Sequence, residues 1–159
     1  DLFLSREDPP SASALEEARA FCREAFESGL PVEARDPERL VCVGGTVTTL
    51  VAIDAGLDPY DPAFVHLQTL TLDEVDELIG RLAALPLEQR RGVVGLQPKR
   101  AGVILAGAVC VSELMRACHA RELTVSESDL LYGLSLSAAA AADGITAPVS
   151  WTPQLFSLR

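Results

Sequence analysis

Residues 41 to 50 read Val-Cys-Val-Gly-Gly-Thr-Val-Thr-Thr-Leu, a short apolar run, two glycines and then threonines opening a helix-forming stretch. A buried strand that stops at a glycine pair brings backbone close to whatever lies beyond it, because no Cβ stands in the way. A helix that starts there aims its unpaired N–H groups and the positive end of its dipole into the same gap. Two readings follow for Gly44, Gly45 and Thr46: contact with an anion, phosphate first, or a tight turn and nothing more. Both place an α/β connection at this point.

The remaining pattern is mostly helical. Ser13 and Glu16 have capping-box spacing, and Leu15, Ala18, Cys22, Ala25 and Phe26 recur at helical intervals, predicting a helix over about 13–28. Leu40 to Val43 reads as a strand, and the helix opened near Thr46 runs to Gly56. After a Pro/Asp loop at 58–62, Val65 to Leu70 reads as strand-like. A capping box of Thr71 and Glu74 then opens a helix whose stripe is Leu72, Val75, Leu78, Ile79 and Leu82. A short helical turn is expected at Leu87 to Arg91. The longest helix is expected from Pro98 to about Ala120, with Val103, Ile104, Gly107, Cys110, Val111, Leu114, Met115 and Cys118 inward and Ala106-Gly107-Ala108 admitting a close neighbour. Glu122 to Val125 reads as a strand, and Ser126 or Ser128 is expected to cap a last helix ending at Gly144. Trp151, Pro153 and Phe156 suggest a tail, 146–159, that docks.

Two strands separated by helices, 40–43 and 122–125, imply a parallel pair in an α/β sheet. So few strands for so many helices would leave much sheet edge unpaired, which suggests either strands supplied by a partner or a piece of something larger.

Composition narrows function by exclusion. The 159 residues carry 23 acidic and 13 basic side chains, a net charge of −10, which disfavours any general nucleic-acid or anionic-membrane surface. A phosphate site would have to be local. No apolar run approaches the roughly 20 residues that span a bilayer, and Asp1 to Glu7 lacks the features of a secretory signal, so a cytoplasmic setting is expected. Cys22, Cys42, Cys110 and Cys118 form no Cys-x-x-Cys pair and are read as reduced core residues. His66 is read as structural, and Cys118 with His119, adjacent on a helix, point too far apart to share a metal. No metal set and no nucleophile system is recognised. Glu16, Glu74 and Glu113 occupy positions that caps and helix surfaces favour.

Several segments together carry a resemblance. Gly44-Gly45-Thr46-Val47-Thr48-Thr49, Ala83 to Arg91, Gly95-Leu96-Gln97-Pro98-Lys99-Arg100-Ala101, Val103 to Ala108, and Thr124-Val125-Ser126 with Gly133 resemble, in order and spacing, the second half of the exopolyphosphatase and guanosine pentaphosphate phosphatase (Ppx/GppA) family. The likeness covers about residues 1–135. It implies an RNase H-like lobe of the actin-like ATPase superfamily over 1–145, incomplete, with parallel strands and flanking helices. In that family two such lobes enclose a phosphate site, and Mg²⁺ is implied for the full-length enzyme. The glycine junction would match the superfamily's adenosine-type loop and Ala106-Gly107-Ala108 its second connecting helix.

The resemblance also sets expectations for charge. Lys99 and Arg100 match a basic position of the family and are expected to contact phosphate together with Gly44, Gly45 and Thr46, whereas Arg90 and Arg91 read as a solvated basic face. The family's catalytic glutamate and its Asp-Ile-Gly-Gly-Gly-Ser loop would lie upstream of the matched region, so no catalytic residue is assigned here. Gly102, Leu131 and Tyr132 stand where the family carries polar residues. The expected function is therefore part of a phosphohydrolase that removes terminal phosphate from polyphosphate or guanosine pentaphosphate, working with the family's other half as its partner and open to a homodimer. Alternatives are a noncatalytic regulatory or interaction module, or a lobe of another actin-like ATPase or sugar kinase.

Overall fold

The computed structural model describes residues 3–145. It divides between Glu127 and Ser128 into two units. The expected tail at 146–159 lies outside the described residues.

The first unit is built on α1 (Ala12–Gly29), β1 (Val41–Val43), α2 (Gly45–Asp54), α3 (Pro62–Val65), β2 (Thr69–Thr71), α4 (Leu72–Ala83), α5 (Leu87–Arg90), α6 (Ile104–Ala117) and β3 (Glu122–Ser126). The strands form one sheet in the order β1-β3-β2. As expected, β1 and β3 are parallel neighbours, with Val41 opposite Thr124 and Val43 opposite Ser126. The sheet is mixed, because β2 runs antiparallel to β3. Strand alternation sends Cys42, Leu70, Leu123 and Val125 to one face, where α2, α4 and α6 supply Leu50, Leu78, Ile79, Leu82, Ile104 and Met115. The opposite face carries Val41 and Val43, each 51% exposed, on a free edge.

The second unit contains α7 (Leu130–Ala142). Its cap is Asp129, which accepts from the N–H groups of Leu131 at 3.0 Å and Tyr132 at 3.1 Å, rather than either expected serine. A carboxylate accepts two first-turn donors and suits the positive helix end better than a hydroxyl.

Other boundaries moved for similar local reasons. Ser11 caps α1 through Ala14 N, so Ser13 lies inside the helix. Of the strand-like run Val65 to Leu70, only Thr69 and Leu70 fall within β2, although Leu67 N donates to Val125 O and Val125 N to Gln68 O, each at 2.8 Å; Asp61 caps α3 over Pro62–Val65, and His66 ends it. The expected capping box of α4 is present, with Thr71 and Glu74 bonded reciprocally.

The helix expected to be the longest does not begin at Pro98 and, at 14 residues against 18 in α1, is not the longest. Pro98–Arg100 is a single 3-10 turn, a further turn crosses 101–103, and α6 starts at Ile104. The buried face is therefore Ile104, Leu105, Ala108, Val109, Ser112, Glu113 and Met115, while Val103 and Cys110 are exposed. The close approach at Gly107 is real: a Cβ there would lie 2.6 Å from Thr46 Oγ1 and 2.8 Å from Thr46 Cγ2. α2 thus packs directly against the first turn of α6. Gly95 makes a second such contact. It has φ +83°, and a Cβ on it would stand 2.6 Å from Ile53 N and nearer still to the Ala52 carbonyl, so the loop after α5 lies directly on α2.

Candidate phosphate site

At the carboxyl ends of β1 and β3 the chain makes its one strand-to-helix turn through paired glycines. Gly44 has φ 97° and ψ 168°, a region that residues with a Cβ scarcely enter, and it is the N-cap of α2. Without a side chain it offers no cap to the first-turn N–H groups. Thr48 Oγ1 and Thr49 Oγ1 donate backwards to the carbonyls of Gly44 and Gly45, at 3.4 and 2.5 Å, so neither hydroxyl occupies the space in front of the helix. Outward-facing donors at a positive dipole end are what an oxyanion needs.

Arg100 completes this end. A Cβ on Gly45 would lie 2.5 Å from Arg100 Nη2 and closer still to Nη1, so the guanidinium rests on the glycine itself. Gly45 is glycine because an arginine has taken the place of its side chain. The 3-10 turn at 98–100, pinned by the N–H of Arg100 donating to Gln97 O at 2.8 Å, brings it there. Lys99, its neighbour on that turn, is exposed, and the contact with Gly45 is made by Arg100.

Tyr60 and Glu127 close the other side. Glu127 follows Ser126, which pairs with Val43, so it stands across from Gly44. The Tyr60 hydroxyl donates to the Glu127 carboxylate, and the N–H of Glu127 donates to His66 Nδ1 at 3.2 Å. Burial pushes the Tyr60 phenol up and the Glu127 hydrogen bond adds to this, while a hydrogen bond with Thr48 and the charge of Arg100 pull the other way. His66 therefore has the structural role expected of it. Tyr60 and Glu127 escaped the sequence reading because the Pro/Asp loop and the end of β3 carry no motif; only the fold brings them to the glycine turn.

Arg90 corrects the expectation of a solvated basic face. It is 5% exposed and donates to three carbonyls, from Nε to Leu82 at 3.0 Å, from Nη1 to Ala101 at 3.3 Å and from Nη2 to Leu85 at 2.9 Å. One planar fork thereby ties the end of α4 to the turn after the 3-10 helix that carries Arg100. Burial pulls its guanidinium below the ordinary value. Arg91 is exposed and pairs with Glu88 at 2.6 Å.

Glu113 is the second correction. It is 1% exposed, not on a helix surface, because three arginines surround it. Arg19 Nη1 reaches its Oε1 at 2.9 Å, Arg23 Nε its Oε2 at 3.3 Å, and Arg116 Nη1 stands 3.6 Å from Oε1. Asp76 on α4 shares Arg19 and Arg116 and accepts from Ser112 at 2.8 Å. Burial alone would raise the Asp76 carboxyl; hydrogen bonds from Arg116, Ser112 and Arg19 outweigh it and hold the group below its ordinary value. This network staples α1, α4 and α6.

The cysteines are free, with Cys118 buried and Cys22 and Cys42 half-buried, but Cys110 is exposed because α6 is rotated relative to expectation. Burial pushes the Cys22 and Cys42 thiols up, and Cys110 and Cys118, their respective neighbours, add to this. Among the described residues no group of three or more His, Cys, Asp or Glu converges on a metal position. No helix of the described residues is long and apolar enough to cross a membrane.

The family follows from comparison. The Ppx/GppA phosphatase family model matches residues 3–141. The chain belongs to the Ppx/GppA phosphatase family. Exopolyphosphatase 2 of Mycobacterium tuberculosis is 36% identical over 137 residues, covering 83% of this chain and 43% of the relative. The bifunctional 3-dehydroquinate synthase/phosphatase of Fusobacterium nucleatum is 31% identical over 97 residues, 61% of this chain and 14% of that protein. The crystal structure of the Aquifex aeolicus Ppx/GppA family member superposes with a TM-score of 0.78 at 26% identity, over 87% of this chain and 44% of that one. The chain thus spans less than half the length of these relatives. The fold is the α/β, RNase H-like architecture of the actin-like ATPases, and the sugar-kinase alternative is set aside.

Proposed function

We propose that this region forms one wall of the phosphate site of a phosphohydrolase that releases terminal phosphate from polyphosphate or guanosine pentaphosphate. Gly44, Gly45 and Thr46 present backbone donors, Arg100 supplies the cation, and Tyr60 lines the approach. The observation that carries the reading is the Arg100 guanidinium seated on Gly45 at an uncapped helix start. A charge-assisted donor beside converging N–H groups favours an anion far more than a plain turn requires.

Hydrolysis also needs a carboxylate to activate water. We assign that role to the other half of the family's core, the proposed partner of this region. Glu127, held by Tyr60, is a carboxylate that the fold brings to the glycine turn, and among the described residues no group of three or more His, Cys, Asp or Glu gathers there to hold Mg²⁺. No step is routed through the metal. A cytoplasmic setting belongs to the same reading, and freedom from nucleic acid is supported by the net charge of −10.

Calorimetry with polyphosphate at low ionic strength tests the site. Weak binding that falls with added salt is expected, with Arg100→Ala losing about 1 to 3 kcal/mol. Equal affinity in both proteins would reduce Gly44-Gly45 to turn chemistry. The chain alone should release no phosphate from polyphosphate in the presence of Mg²⁺. Release that survives repurification would place catalytic residues within it.

A noncatalytic regulatory role is the second reading. It is favoured by Gly102, Leu131 and Tyr132 at positions where the family is polar. Restoring arginine and glutamate at 131 and 132 in a two-lobed protein should raise turnover if this reading holds and leave it unchanged if it does not.

A further inference from the structure

At the other end of the strands, before β1 and β3 begin, lies a cavity of about 190 Å³ bounded by Arg23, Glu27, Arg35, Glu113, Arg116 and His119. Three guanidiniums and two carboxylates line it, one net positive charge in a chain that carries −10. The carboxylates do not use up these cations equally. Glu113 is spent on Arg19, Arg23 and Arg116. Among the described residues Arg35 has no carboxylate partner: its Nη2 reaches the Glu27 carbonyl at 3.5 Å, and its Nε is buried with no hydrogen-bond partner there. A buried donor on a charged group without an acceptor is costly and rare in a native protein.

The wall beside Arg35 is held in an unfavourable conformation. Asp36 and His119 both adopt left-handed backbone, φ 55° and 54°. They fix each other, Asp36 N donating to Cys118 O at 3.0 Å and His119 Nδ1 standing 3.0 Å from Asp36 Oδ1. Positive φ at His119, which lines the cavity, and at Asp36, the chain neighbour of the lining Arg35, is backbone strain of the kind that accompanies binding sites.

We propose that this cavity is a site for a small tetrahedral oxyanion of the phosphate type, with Arg35 Nε as its principal donor and the outer faces of Arg23 and Arg116 as the flanking charge. The anion would satisfy the orphaned donor and balance the excess cation. The rim carboxylate of Glu27 limits the ligand to one compact anion rather than a chain of them. The site is independent of the Gly44 turn, and its residues report separately.

Proton–nitrogen NMR of the full chain, covering backbone amides and arginine Nε–Hε pairs, tests it during titration with inorganic phosphate. The Arg35 Nε–Hε signal and the amides of Ala117 and His119 should move together along one saturable curve. Arg35→Gln should weaken that curve by about tenfold or more, the effect of one lost charge-assisted hydrogen bond, with far-UV circular dichroism unchanged. Arg35→Lys, which keeps the charge and loses the Nε donor, should also weaken it. Unsaturated linear drift at Ala117 and His119, or equal affinity in wild type and both variants, would overturn the site. Gly45 and Thr46 amides report the other anion site in the same spectra, so the failure of one is distinguishable from the failure of the other.

Discussion

The seam of α1, α4 and α6 and the turn at the end of β1 use the same residue type in opposite ways. In the seam Arg19 is spent: both its terminal nitrogens are committed to Asp76, Ser112 and Glu113, and its work is to hold three helices together. At the turn Arg100 has no carboxylate partner among the described residues and lies on a glycine in front of an uncapped helix. A cation satisfied by the protein is structure. One left facing outward beside free backbone donors is available to a ligand.

The comparison breaks most visibly at Glu113. Glu113→Ala should cost about 3 to 5 kcal/mol, because it opens a buried void and removes the carboxylate that three arginines share, leaving Arg19 and Arg116 with Asp76 and Arg23 with Glu16, and urea unfolding would show it as a lower midpoint. A loss under 1 kcal/mol would mean that the seam is solvated and its arginines are as free as Arg100. Arg90→Ala comes next, at about 2 to 3 kcal/mol, since three carbonyls lose their donor. Any fall in polyphosphate affinity in that variant should track the loosened turn that carries Arg100.

Gly45→Ala sharpens the contrast in the other direction. The new methyl would meet the far end of a flexible side chain, so unfolding should change by less than about 1 kcal/mol while polyphosphate binding weakens by about tenfold. Loss of the fold instead would show that Arg100 is as structural as Arg19. The smallest effect is the pH dependence of the seam. Asp76 has its carboxyl depressed in the folded state, so its contribution is present above the unfolded pKa of about 4 and is lost as pH falls through the lower folded value. Acid unfolding followed by circular dichroism should be shallower in Asp76→Asn.

Much of the frame was legible in the chain. Period-3.6 stripes located α1 and α4, the glycine pair and Gly56 bounded α2, and the two apolar runs at 40–43 and 122–125 located the parallel pair, because these signals survive without tertiary context. Thr71 with Glu74 declared its own cap. What was hidden depended on residues distant in sequence. Glu113 looks like a surface glutamate until Arg19 and Arg23, some ninety positions earlier, arrive beside it. The resemblance singles out Arg100, but Arg90 reads as a solvated cation, and only the path of the chain after α4 buries it. Proline at 98 announces a helix start, but a 3-10 turn satisfies it equally well, and the few residues spent there rotate α6 enough to expose Cys110.

The contact of Thr46 with Gly107 has a mechanical consequence. α2 carries the glycine turn at its first residue, and the side chain of its second residue, Thr46, bears on the bare backbone of Gly107 in the first turn of α6. At its far end α6 is clamped by Arg116 to Asp76. A push on the first turn of α2 therefore meets a braced beam rather than a pliable loop, and the turn should keep its shape under load. Gly107→Ala would insert a wedge at the fulcrum, tilting the glycine turn away from Arg100 without touching either residue.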